Sequence, residues 1–300
     1  MDDLSLEVEP NEVFGLLGPN GAGKTTTIHM LATLLRPTSG TATVNGYDIV
    51  QEPGKVRSSI GIVFQAPSSD DILTGYENLY VHSMLYSVPR HERRDRIASV
   101  LELVGLSDRK DYQVKTYSGG MRRRLEIARG LLHKPKVMFL DEPTLGLDPY
   151  SRETMWKYIK RLVDEEGVTI ILTTHYMEEA DMLCDRIGII DKGKIVALDS
   201  PAGLKAGLGG DIIKLKTPAK DAERALREFS FVRKIERIDG LMVLSVENAR
   251  RDLPVILHRI EAESAEFSSP TLNDVFIRLT GREIKEAAEG GFEERIANYD

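Results

Sequence analysis

The sequence predicts an α/β protein that carries a second, smaller α+β domain towards its C-terminal end. Three observations lead there. Over residues 1–208, short continuous apolar runs alternate with helical patterns, as in a parallel sheet covered on both faces. One of those runs feeds straight into a glycine-rich turn, GPNGAGKT at 18–25, with a helical pattern behind it. Beyond GLKAGLGGD at 203–211, which reads as a linker, the pattern changes to paired strands and short helices.

In chain order, VFGLLG (13–18) is a strand and TTTIHMLATLL (25–35) a helix ended by Pro37. TATVNGYDI (41–49) is a hairpin around Asn45-Gly46. IGIVFQ (60–65) is a strand ending in Gln65. Residues 75–105 hold two helices, the second opened by Pro89 and closed by Gly105. YSGGMRRRLE (117–126) places a hydroxyl and two glycines ahead of a helical run. VMFL (137–140) and VTIILTT (168–174) are strands, with helices over 150–165 and 176–184 and a hairpin at IGIIDKGKIVALD (187–199). The second domain, 211–282, reads as a strand (211–217), a helix (219–229) and two strands meeting at Asp239-Gly240. A helix from Pro254 to Glu263, a short connection and a helix over 271–280 complete it. The tail, 283–300, is rich in Glu and Ala and reads as a frayed helix.

Composition narrows the classes. At 300 residues and 41% hydrophobic, the chain buries a sizeable core. Its formal net charge of −7 argues against a general nucleic-acid binder, which carries a basic excess. Cys184 is the single cysteine, so no disulfide forms within the chain and a reducing compartment is the natural reading. No apolar run approaches the roughly 18–20 residues that cross a bilayer. The N-terminal MDDLSLEVEP is acidic and lacks an apolar signal core. These features predict a cytoplasmic protein, unless a partner holds it at a membrane.

The turn at 18–25 fits G-x-x-x-x-G-K-[ST] in strand–turn–helix context, the phosphate-cradling loop. Its glycines let backbone N–H groups approach phosphates, Lys24 reaches the β- and γ-phosphates, and the Thr25 hydroxyl is a Mg²⁺ ligand. VMFLDEP (137–143) ends a buried run in two carboxylates, where the carboxyl ends of parallel strands line the ligand crevice. Asp141 then holds Mg²⁺ through a water and Glu142 polarises the attacking water. Read singly, the pair equally fits a solvated strand end. Gln65 is a candidate Mg²⁺ ligand or a surface amide. His175 is a candidate for the γ-phosphate or a structural histidine. Asp148, in LGLD (145–148), is a candidate of its own or the N-cap of the helix at 150. The arginines of MRRRLEIAR (121–129) read as the solvated start of a helix rather than a nucleic-acid patch. Cys184 reads as a small buried hydrophobe.

Together, GPNGAGKTT, Gln65, YSGGM, VMFLDEP, LGLD and His175 resemble, in order and spacing, the nucleotide-binding subunit of ATP-binding-cassette transporters over residues 4–205. ENLYVHSMLYSVP (77–89) and SPTLNDVFIRLTGRE (269–283) are similar to the daunorubicin-resistance type of exporter ATPase. The resemblance implies a P-loop NTPase of ABC type over 1–208, a mixed sheet with a helical subdomain over 70–133. It also implies an efflux motor using ATP and Mg²⁺. Asn20, Gly21, Ala22, Gly23, Lys24, Thr25 and Thr26 would bind the nucleotide. Thr25 and Gln65 would hold Mg²⁺, with Asp141 in its outer shell. Glu142 would be the general base, His175 the γ-phosphate contact, and Asp148 part of the loop at the subunit contact. Ser118, Gly119 and Gly120 would meet the ATP of the opposite subunit, which is a second copy or a paralogue. Gln65 and the helices of 70–116 would touch a multi-span membrane permease, so that the chain sits peripherally at the inner face of the cell membrane.

Two features depart from that pattern. Met121 stands where many relatives have Gln. The family also places an adenine-stacking aromatic residue ahead of the phosphate loop. Only Phe14 precedes Lys24 as an aromatic here, inside the strand. Either the natural start lies upstream or adenine is held weakly. The competing reading is an ATP-driven clamp of DNA repair or translation. It requires long coiled coils between the half-sites, or two cassettes in one chain. Residues 65–118 carry no sustained heptads, and each motif occurs once. A small-molecule kinase leaves YSGGM and His175 without a role.

Overall fold

Runs without polar alternation make strands buried on both faces, and β1 (Val13–Leu17) is buried at every position. In chain order follow α1 (Lys24–Leu31), β2 (Thr43–Val44), β3 (Tyr47–Asp48), α2 (Pro53–Ser59), β4 (Ile60–Val63), α3 (Gly75–Leu85) and α4 (Arg93–Leu103). Then come α5 (Gly119–Leu131), β5 (Val137–Asp141), α6 (Pro149–Asp164), β6 (Thr169–Thr174), α7 (Met177–Leu183), β7 (Arg186–Asp191) and β8 (Lys194–Asp199). The computed structural model describes residues 1–218, 222–238 and 240–281. The described residues divide into two compact units, one over 1–195 and the other over 196–281.

The main sheet has the order β4-β5-β6-β1-β7-β8. β4–β5, β5–β6, β6–β1 and β1–β7 pair in parallel. β8 returns beside β7 through Lys192 and Gly193, both left-handed, so the sheet is mixed. Parallel pairing brings the carboxyl ends of β1, β4, β5 and β6 to one edge. The residues that follow them, Gly18, Phe64, Glu142 and His175, therefore come from four separate stretches to one place. On one face Phe14, Leu16, Ile28, Val56, Ile60 and Phe139 pack as a continuous core.

The second unit has α8 (Pro201–Ala206), β9 (Asp211–Lys216), α9 (Ala222–Leu226), β10 (Val232–Ile238) and β11 (Leu241–Val246). It ends with α10 (Ala249–Arg259), β12 (Ser264–Ser268) and α11 (Leu272–Thr280). Its sheet is antiparallel in the order β10-β11-β9-β12. Ile213, Leu215, Leu244 and Val246 pack on Ala249 and Ile256.

Several boundaries differ from the sequence expectation. α1 stops at Leu31 instead of running to residue 35. Thr33 turns left-handed at φ 64°, and the Leu34 N–H donates to the His29 carbonyl at 2.8 Å, a Schellman closure. α4 begins at Arg93 rather than at Pro89. α2 was not anticipated, although Pro53 at its first turn is the usual start signal. The first half of the expected linker is α8, capped by the Ser200 hydroxyl on the Gly203 N–H. α10 starts five residues ahead of Pro254, at an Asn248 cap, and carries the proline inside. The expected short connection contains β12, an edge strand with little burial and hence no apolar signature. Asp239 and the tail 283–300 lie outside the described residues.

Candidate active site

α1 starts at an anion-ready end. Its N-cap, Gly23, has φ 110°, which only glycine adopts readily, and no side chain caps the first turn. No acidic residue lies in that turn either, so the exposed N–H groups and the helix dipole are left for an external anion. Asn20, Gly21 and Thr26 are exposed, Gly23 and Thr25 half-buried, and Ala22 and Lys24 buried. Lys24 Nζ donates to the carbonyls of Gly18 at 2.8 Å and Pro19 at 3.2 Å. It also lies 3.7 Å from Glu142 Oε1. Burial lowers its pKa from the usual lysine value, against the opposing pull of Glu142 and Asp141.

The two acids at the end of β5 have separate partners. Asp141, 2% exposed, accepts at Oδ1 from the Thr25 hydroxyl at 3.1 Å and the Thr173 hydroxyl at 2.5 Å. Glu142 Oε1 lies 3.2 Å from His175 Nδ1, which is the donor when the carboxylate is ionised. Burial pushes the Glu142 carboxyl up, but the His175 hydrogen bond and the charge of Lys24 outweigh it and hold the group below its usual value. The Glu142 backbone is left-handed at φ 47°, and its N–H donates to Thr173 Oγ1 at 3.0 Å.

Ser118 caps α5, its hydroxyl accepting from the Met121 N–H at 3.3 Å. Gly119 and Gly120 form the first turn of that helix. Among the described residues, no hydrogen bond of these three reaches the loop at 18–26. Asp148 is the N-cap of α6, accepting from the Ser151 N–H at 3.0 Å. Gln65 does not end a strand: β4 stops at Val63, and Gln65 is exposed two residues later. Phe14 is fully buried, so it offers no face to a base. Cys184 is buried, and burial raises its thiol pKa well above the usual value.

The arginine run holds a correction. Arg123 is not solvated; it is 7% exposed. Its Nε donates to Pro143 O at 2.8 Å, and its Nη2 to Asp141 O at 2.7 Å and Glu142 O at 3.0 Å. Its Nη1 donates to Phe64 O. Burial lowers its pKa to about 10, so the charge persists at neutral pH. Charge runs on a helix usually face water, but none of the four arginines of this run is exposed: Arg122 pairs with Asp71, Arg124 donates to the Val104 carbonyl at 3.0 Å and Arg129 pairs with Glu126 at 2.8 Å. Sequence reasoning also missed Thr173 and Glu179. Thr173 is the penultimate residue of β6. Buried Glu179 accepts from Thr144 at 2.7 Å and from Trp156 at 3.3 Å, tying the loop after Glu142 to the helix after His175. Burial raises its pKa.

An uncapped helix start behind the buried strand β1, with paired acids at the end of β5, two strands away in the sheet, defines a phosphate-loop ATPase of cassette type. Comparison with known proteins carries this further. The ABC transporter family matches residues 1–145, and the C-terminal domain of DrrA1-3-like ATP-binding proteins matches residues 200–280. The daunorubicin/doxorubicin resistance ATP-binding protein DrrA of Streptomyces peucetius is 42% identical, the match covering 99% of this chain and 93% of that protein. The linearmycin resistance ATP-binding protein LnrL of Bacillus subtilis is 39% identical over 94% of each. Among solved structures, cbiO1 of Clostridium perfringens, part of an ABC transporter complex, superposes with a TM-score of 0.64 at 31% identity. That match covers 68% of this chain and 82% of that one. A dimeric ATP-binding cassette in a post-hydrolysis state with ADP and Pi gives 0.59 at 27% identity, covering 65% and 88%. The chain belongs to the ABC transporter family, as an ATP-binding, ATP-hydrolysing subunit of the drug-resistance exporter type. A repair or translation clamp is not favoured by relatives named for drug resistance over nearly the whole chain.

Proposed function

We propose that two copies of this chain, or this chain and a paralogue, close over two ATP molecules and drive an efflux permease. The observation that carries the reading is the convergence at Glu142. Lys24 stands 3.7 Å from its Oε1 and His175 3.2 Å from the same atom, while Asp141 next door faces the Thr25 hydroxyl. The N–H groups of residues 20–26, apart from that of Ala22, which donates to the Pro19 carbonyl at 3.2 Å, and the Lys24 ammonium would hold the phosphates. The oxygen donors of Thr25 and Asp141, 3.1 Å apart, suit a hard cation such as Mg²⁺. Bound there, Mg²⁺ would neutralise charge developing on the phosphates. Gln65 would join from its exposed loop.

Glu142, ionised and aimed by His175 and Lys24, orients and polarises water for in-line attack; catalysis is positioning and electrostatics. Ser118, Gly119 and Gly120 supply the facing half-site for the second chain's nucleotide, with Asp148 at the same contact. No helix among the described residues is long and apolar enough to cross a membrane, so the membrane is reached through a partner. Ile72, Val81, Met84 and Leu85 are exposed on and beside α3, in the segment 70–116 assigned to the permease. Relatives named for daunorubicin and linearmycin resistance support an amphiphilic drug-like cargo.

The test is Glu142→Gln. The variant is expected to bind ATP, to lose hydrolysis by at least about 100-fold, and to accumulate ATP-bound dimers in sedimentation velocity. Near-normal turnover would remove Glu142 as the base.

A further inference from the structure

We propose that Arg123 is a positioning residue for hydrolysis: one buried guanidinium fixes the backbone that aims Glu142 and ties it to the loop carrying Gln65. The proposal rests on the reading of Glu142 given above. The geometry is specific. Four donors of Arg123 reach four carbonyls on two stretches of chain, Phe64 on one and Asp141, Glu142 and Pro143 on the other. Its acceptors there are carbonyls throughout. A buried arginine that serves only stability is usually matched to a carboxylate; this one is spent on the peptide planes either side of Glu142.

Those planes need fixing. Glu142 is held left-handed at φ 47° without being glycine, a conformation that persists only when its surroundings over-determine it. Three partners do so. The N–H of Glu142 is held by Thr173, its carbonyl by the Leu145 N–H at 3.2 Å and by Arg123, and Arg123 also holds the carbonyls before and after it. This backbone sets where the Glu142 side chain leaves the chain, and His175 and Lys24 then hold its end. The planar fork is suited to this, because its donors point in fixed directions that an ammonium cannot reproduce.

The bond to Phe64 extends the tie. Phe64 immediately precedes Gln65, and Arg123 lies on the helix that starts at Ser118. Displacement of α5 when an opposing nucleotide meets Ser118 would therefore be passed to Glu142 and to the Gln65 loop through a single side chain.

Three variants of the full chain test this: Arg123→Ala, Arg123→Lys and Glu142→Gln, each measured for ATP affinity, KM and kcat. Arg123→Ala is expected to bind ATP as the unsubstituted chain does, because the hydrogen bonds of Arg123 go to residues 64 and 141–143 and not to the loop at 18–26. Its kcat is expected to fall by about 100-fold, the cost of misplacing a reacting group by about 1 Å. Guanidinium ion at non-denaturing concentration is expected to recover part of that kcat saturably, while methylammonium is not. Arg123→Lys is expected to fall between. Unchanged kcat in Arg123→Ala overturns the proposal; so does a parallel loss of ATP affinity and kcat without recovery by guanidinium. If Arg123→Ala does not fold, Arg123→Lys decides: lowered kcat at unchanged KM supports the proposal, and unchanged kcat overturns it. The two readings fail separately. Turnover retained by Glu142→Gln removes the base assignment, whereas a dead Glu142→Gln beside a fully active Arg123→Ala removes only the positioning role.

Discussion

His82 lies half-buried on α3 against Tyr86, with ring centroids 4.9 Å apart, and its Nδ1 is 3.5 Å from Arg129 Nη2. Burial, the charge of Arg129 and the neighbouring His133 lower its pKa to about 4, against a weaker opposing pull from Glu126. The folded chain thus holds His82 neutral where the unfolded chain protonates it near 6.5. The associated stability is complete above pH 6.5 and is lost as pH falls towards 4, up to roughly 3 kcal/mol at 1.36 kcal/mol per unit. Urea midpoints followed by Trp156, the one tryptophan, should fall more steeply from pH 7 to pH 5 than in His82→Gln. Equal slopes in the two proteins would remove His82 as the source. At this scale the candidate site was largely legible, because phosphate chemistry demands particular residue types in order: Gly-Lys-Thr, Asp-Glu, a histidine at a strand end. Thr173 and Arg123 were not, since a threonine in a strand and an arginine in a charged run look the same whether they face solvent or a buried carbonyl.

At the scale of elements, α5 lies so close to β4 that the strand needs glycine at residue 61. A Cβ on Gly61 would stand 2.5 Å from the Gly130 carbonyl oxygen, whereas one on Gly130 would meet chiefly the movable Met138 Cε of β5, at 2.8 Å. Gly61→Ala should push the helix off the sheet at a cost of about 1–3 kcal/mol, typical of overpacking. Because α5 carries Ser118 and Arg123, kcat should drop along with the melting temperature; a destabilised variant with full kcat would separate helix seating from catalysis. Elements with caps and strong apolar periods were readable, as β1, β6 and α6 are. Those missed or misplaced lacked a strong apolar period, although α2 and α8 open on a proline and α8 and α10 have capping side chains. β12 is an exposed edge strand, α8 hides among glycines, and α10 keeps a proline inside because Asn248 had already set its start. Tertiary packing, not local preference, decided them.

For the molecule as a whole, the sheet gathers the loop at 18–26, Glu142 and His175 at one edge, while Ser118 closes its own helix cap at the start of α5. The parallel α/β class could be read from alternating runs, because that pattern has few alternative folds. That Ser118, Gly119 and Gly120 serve the opposite chain's nucleotide is what the sequence resemblance implies, and it is part of the proposed function. If each nucleotide is shared between one chain's loop and the other chain's Ser118, one subunit contributes to two different sites. A chain with Glu142→Gln spoils the site its own loop builds. A chain with Ser118→Arg spoils the site its partner builds. Mixed together, the two defects fall on the same nucleotide in a heterodimer, and the other nucleotide meets only unaltered residues. Two preparations that are each inactive should therefore complement one another in the tube. Random exchange yields about a quarter of the unsubstituted turnover when the two sites act independently. Failure of any mixture to recover hydrolysis would mean that each chain completes its own site.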